Sequence, residues 1–201
     1  MASRQTCKCA FTETSALVIL APMQATNILS FWFNELSPQQ HFAKDAALDA
    51  AIRTRFCATL EVAARGELAA WRATAAGRLA EIIVLDQFSR NVYRDTPRAF
   101  AQDALALTLA QKLVARGQDR NLPLAQRKFV YMPYMHSESA LVHTQAVVLF
   151  SQPGLEDNLR FELLHKAIID RFGRYPHRNA VLGRPSSAEE LAFLNEPGSS
   201  F

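Results

Sequence analysis

The sequence predicts an all-α protein of antiparallel helix pairs, packed as a bundle or α-solenoid. Apolar residues recur at a helical period of about 3.6 through most of the chain. Helix start and stop residues bracket those stretches. No run combines strict alternation with β-branched enrichment and hairpin turns, so a sheet is not expected. Helices joined by short turns pack as antiparallel neighbours. No self-similarity at a period of roughly 34 residues is visible, so a regular array does not follow from repeats.

The elements follow in order. Ile28, Leu29, Phe31, Trp32 and Phe33 form a dense apolar stripe that ends at Ser37 and Pro38, predicting a buried first helix. Asp45 suits an N-cap, and Leu48, Ile52, Phe56 and Leu60 recur every fourth residue up to Gly66. Thr74 can cap a third helix in which Leu79, Ile82, Leu85, Phe88 and Val92 keep the helical period. Thr96 and Pro97 open a fourth, carried by Ala101, Leu105, Leu109 and Leu113 to Gly117. Pro123 begins a shorter helix through Tyr131, and Pro133 predicts a break before another helical stretch from Glu138 to Phe150. Phe161, Leu164, Ile168 and Phe172 mark the last long helix, with Gly173 as its left-handed terminator. Ser187 and Glu190 form a capping-box pattern for a final short helix.

Bulk properties set the function classes. At 201 residues with 49% hydrophobic and 20% charged residues, the chain can bury a sizeable core. Residues 1–22 read as an extension and 23–201 as a single all-helical domain, with Met23 as an alternative native start. A net charge of +3 gives no basic stripe for nucleic acid. The apolar run Ala16 to Met23 is far short of the roughly 20 residues that span a bilayer, so no membrane association is expected. Glu13 also interrupts the approach to a secretory signal. Cys7, Cys9 and Cys57 are too sparse for a disulfide framework and fit a reducing cytoplasm.

Three segments carry candidate chemistry. In LDQFSRNVYR, the residues Asp86, Arg90 and Arg94 lie at successive i, i+4 positions and share one helix flank, beside Gln87 and Asn91. A carboxylate there can hold one guanidinium and leave the other to grip an anion bidentately, or the set can be an ion-pair ladder between helices. In YMPYMHSES, His136 and Glu138 stand at a helix start, where Ser137 could cap; the same pair could do acid–base work. No H-E-x-x-H spacing is present, so no metal is expected, and no cofactor motif is found. In GRYPHRN, Gly173 ends a helix and Tyr175-Pro176 fixes a turn that presents Arg174, His177, Arg178 and Asn179. From Arg160 to Arg184, six Lys or Arg residues stand against Glu162 and Asp170, which concentrates positive charge here. These donors either bind a ligand or stitch down the C-terminal tail.

These stretches resemble the bacterial family of domain of unknown function 924, through ILSFWF, LDQFSRNVYRDTPRAFAQDALAL, RKFVYMPYMHSES and DRFGRYPHRNAVLGRPSSAEELAFLNEPGSSF. The resemblance implies an all-α, tetratricopeptide-like fold and brings no reaction with it. It falls on Asp86, Gln87, Arg90 and Asn91, on His136, Ser137 and Glu138, and on Arg171, Phe172, Gly173, Pro176, His177, Arg178 and Asn179. The chain departs from the family pattern at Ser89, commonly proline, and at Ser139, commonly acidic. The expectation is a binding protein whose polar pocket takes an anionic small molecule or a peptide carboxylate. The alternatives are a hydrolase or transferase acting on a phosphate or carboxylate compound, and a protein–protein adaptor.

Overall fold

The computed structural model describes residues 23–199, and every regular element among them is helical. The predicted extension, residues 1–22, lies outside the described residues. Helix α1 (Ala25–Ser30) runs on into a π turn, Phe31–Glu35. Helix α2 (Ala46–Ala64) is capped by Asp45, which accepts from the backbone N–H groups of Ala47 at 2.8 Å and Leu48 at 3.2 Å. Helix α3 (Ala75–Ile83) continues through a second π turn, Val84–Phe88, into α4 (Ser89–Val92). A 3-10 turn at Pro97–Phe100 precedes α5 (Asp103–Ala115), so the fourth predicted helix is delivered in two pieces. Helices α6 (Leu124–Met135), α7 (Ala140–Phe150), α8 (Glu156–Phe172) and α9 (Ala188–Phe193) complete the order.

The core is organised around α3, whose residues from Gly77 to Ile83 are all buried. A helix buried on every side needs neighbours on every side. α1, α5, α6 and the 3-10 turn Ala69–Ala73 supply them, so contacts are not confined to chain neighbours. Phe56 of α2 stacks on Phe88 with ring centroids 5.0 Å apart, and Trp32 reaches Phe88 at 5.6 Å. α6, α7 and α8 pack in sequence against this body. A smaller apolar cluster of Ile168, Ile169, Tyr175 and Phe193 fastens α9 to the end of α8.

Two predicted boundaries differ. Pro133 lies inside α6, which ends only at His136. It forfeits one backbone donor, but it is buried amid Phe129, Val130 and Met132, and that packing outweighs the lost bond. α7 starts after Ser139, with no side-chain cap from Ser137, and Glu138 is engaged elsewhere. No described helix is long and apolar enough to cross a membrane.

Gly77 shows how tightly α3 is seated. A Cβ there would stand 2.0 Å from the Trp71 carbonyl oxygen, which is backbone and must shift to admit it. Gly77→Ala is therefore expected to cost about 1–3 kcal/mol despite alanine's better helix propensity. Urea denaturation checks this; a variant as stable as the parent would show that the Trp71 turn yields freely.

Candidate functional site

The predicted residues divide into one convergent cluster and two satellite groups. The π turn Val84–Phe88 carries Asp86 and Gln87, α4 carries Arg90, and His136 caps the end of α6. π turns change the direction in which successive side chains leave a helix and are frequent at functional sites. The His136 Nδ1–H donates to Asp86 Oδ1 at 2.7 Å, and Arg90 Nη1 donates to the same oxygen at 3.1 Å. Arg90 Nη1 also donates to the Asp86 carbonyl at 2.8 Å, and Gln87 Nε2 to Asp86 Oδ2 at 2.5 Å. Arg90 then forms a bidentate pair with Asp103 of α5, at 2.9 and 3.0 Å. Asp103 Oδ2 accepts in turn from Arg178 Nη1 at 3.4 Å. Arg178 sits in the 3-10 turn Pro176–Arg178, with its guanidinium 4.4 Å from the Tyr175 ring centroid and 4.6 Å from that of Phe100.

The electrostatics follow from this alternation of charges. Burial opposes ionisation of Asp86, yet His136 and Arg90 together hold its carboxyl well below the usual carboxylate range. Burial lowers the pKa of His136, the Arg90 charge adds to this, and Asp86 opposes both. With Asp86 ionised, the ring proton facing it lies on Nδ1, and burial and Arg90 disfavour a second proton on the imidazole. Its Nε2 makes no hydrogen bond to a described residue, and the side chain keeps 12% of its surface accessible. Burial and the nearby Arg90 also disfavour the charge of Arg178, whose buried Nε lacks a partner. An imidazole oriented by Asp86 thus adjoins Arg90, which shares Asp103 with Arg178.

A second network adjoins the first through Tyr175. Glu138 accepts from Arg184 at 2.6 and 2.9 Å and from the Tyr175 backbone N–H at 2.8 Å. Asn179 accepts from Arg184 Nε at 3.0 Å and donates to Ser186. The Tyr175 hydroxyl donates to the Met135 carbonyl at 2.5 Å, one residue from His136. His143, fully buried, engages Glu162 at 2.7 Å through Nδ1 and donates to the Ser137 carbonyl at 2.9 Å through Nε2. His177 lies against Tyr175 with its Nδ1 buried and unpartnered.

The remaining predicted residues point elsewhere. Arg94 and Asn91 bind Asp49 of α2, with Arg94 bidentate at 2.6 and 2.8 Å. Arg171 pairs with Glu189, and Arg174 grips Glu190 at 2.6 and 2.7 Å. Sequence reasoning missed Asp103, Phe100, Tyr175 as a polar partner, and Arg184. Asp103 carries the one usable signal, an acid at the start of a predicted helix, but that reads as a dipole charge. No group of three His, Cys, Asp or Glu side chains suited to a metal occurs among the described residues.

Three histidines near this region resist protonation. Burial pushes His177 down to about 4 and His165 to about 3, and lowers His136 as well. A folded-state value below the unfolded 6.5 means the unfolded chain binds more protons. Their stabilisation is present above pH 6.5 and is lost as pH falls toward the folded values. Chemical denaturation at pH 7 and pH 5 should show the parent losing more stability than His177→Gln; equal losses would place the His177 pKa near its ordinary value.

Comparisons agree on kinship. The pattern of the family described as bacterial protein of unknown function, DUF924, matches residues 28–198. A protein of unknown function from Agrobacterium tumefaciens has a similar solved structure, with a TM-score of 0.81 and 37% sequence identity, covering 85% of this chain and 96% of that one. Among curated proteins, none matches the chain. The chain belongs to the DUF924 family of bacterial proteins of unknown function.

Proposed function

We propose that the chain is a binding protein for a small anionic molecule or a peptide carboxylate, held at the edge where Arg90, Arg178 and His136 meet. The supporting observation is that His136 spends only Nδ1 on Asp86, keeps 12% of its side chain accessible, and shares that carboxylate with Arg90, which meets Arg178 at Asp103. A ligand carboxylate can accept from the Arg178 guanidinium, which has only a 3.4 Å contact to Asp103, and from a His136 that has taken up a proton.

Binding of this kind is linked to proton uptake. The His136 pKa is lowered in the free protein, and a bound anion favours the charged imidazole. Affinity for succinate or acetate is therefore expected to rise as pH falls below about 6.5, with the ligand still ionised. Thermal-shift titration of the parent, His136→Gln and Arg178→Gln tests the reading. A stabilisation that is lost in both variants supports it, and one equal in all three proteins overturns it.

A second reading, a hydrolase or transferase, is favoured by the same carboxylate–imidazole pair. Asp86 fixes the tautomer that leaves Nε2 a base toward water, and Arg178 would meet developing negative charge. Turnover of a phosphate or carboxylate ester that disappears in His136→Gln would favour it over simple binding.

A further inference from the structure

Arg78 is a buried cation with no carboxylate partner among the described residues. It lies at the start of α3 with only 3% of its surface accessible. Its Nη2 donates to the Arg72 carbonyl at 2.9 Å, while its buried Nε has no partner. Its Nη1 makes no hydrogen bond to a described residue either. The nearby carboxylate, Glu81, is itself fully buried and is taken by Arg72 in a bidentate pair at 2.7 and 2.6 Å. Arg116, the exposed C-cap residue of α5, belongs to a helix packed on α3 and brings its charge to bear on Arg78. Burial first, and then the charges of Arg116 and Arg72, press against the Arg78 charge, with Glu81 alone opposing them.

The contrast with the Asp86 cluster is direct. There, Arg90 and Arg178 are matched by Asp86 and Asp103. Here the one nearby carboxylate is committed to Arg72, Arg78 is left with unused N–H groups, and the positive end of the α3 dipole lies beside them. A guanidinium with unused N–H groups in low dielectric is the strongest oxyanion receptor that a side chain offers. We infer that Arg78, with Arg116 and Arg72, forms a site for a phosphate group, whether free phosphate or a phosphomonoester. The site is distinct from the Asp86 cluster, about 12 Å along the helix from it by the helical rise.

The test uses the full chain and inorganic phosphate, at fixed ionic strength against chloride. Phosphate is expected to raise the melting temperature of the parent. Arg116→Gln should fold normally because Arg116 is exposed, and should bind phosphate several-fold more weakly. Arg78→Met removes the buried charge and should lose the phosphate response altogether, whatever its own melting temperature. Arg178→Gln should retain the response, which separates this site from the carboxylate site proposed above. An equal phosphate response in the parent, Arg78→Met and Arg116→Gln, or one matched by chloride, overturns the inference.

Discussion

A single buried carboxylate ties the functional half of this molecule together. Asp86 keeps 1% of its surface accessible, and an ion at such depth is tolerated only when paired and fully hydrogen-bonded. Its partners come from different parts of the chain: Gln87 and Arg90 from its own helix, His136 from the end of α6. Arg90 hands the charge problem on to Asp103, and Asp103 to Arg178 beyond α8. The result is an alternating line, His136, Asp86, Arg90, Asp103, Arg178, in which each inner member is shared between two partners. The positions of α4, α5, the α6 terminus and the Tyr175 loop are therefore mutually determined.

Local chemistry made the helices legible. Asp45, Thr74 and the Ser187–Glu190 box cap where their types and spacing announce. Gly173, with φ of +68°, ends α8 in the left-handed conformation that glycine takes freely, and so aims the Tyr175 turn at the cluster. The π turns were not legible. An added residue in one turn leaves the apolar stripe of Leu85, Phe88 and Val92 intact while it redirects Asp86. Pro133 misled for a related reason: the rule that proline breaks helices is local, whereas the packing that retains it comes from tertiary contacts.

The candidate site was half legible, and the missing half is instructive about charge. The pair Asp86 and Arg90 follows from i, i+4 spacing, but Asp103 and Arg184 do not, because their partners are distant in sequence. The basic run from Arg160 to Arg184 looked like an anion platform. In space, Arg171 and Arg174 are met by Glu189 and Glu190, Arg178 by Asp103, and Arg184 by Glu138. All four of these acids lie outside the run. An excess counted along the chain is thus cancelled in three dimensions, whereas Arg78, outside that run, is buried with no carboxylate partner among the described residues.

The histidines distinguish a stitch from a site. A histidine used to fasten a core spends both ring nitrogens, as His143 does on Glu162 and Ser137, and keeps no accessible surface. His136 is held no less firmly, by the 2.7 Å bond to Asp86, but it spends one nitrogen only. Its setting costs something as well: burial and Arg90 both disfavour its protonated form. A purely structural role would be met more cheaply by an amide at the same position, which could donate to Asp86 without that penalty. What an amide cannot supply is a basic nitrogen, fixed in direction by a buried carboxylate that Arg90 shares.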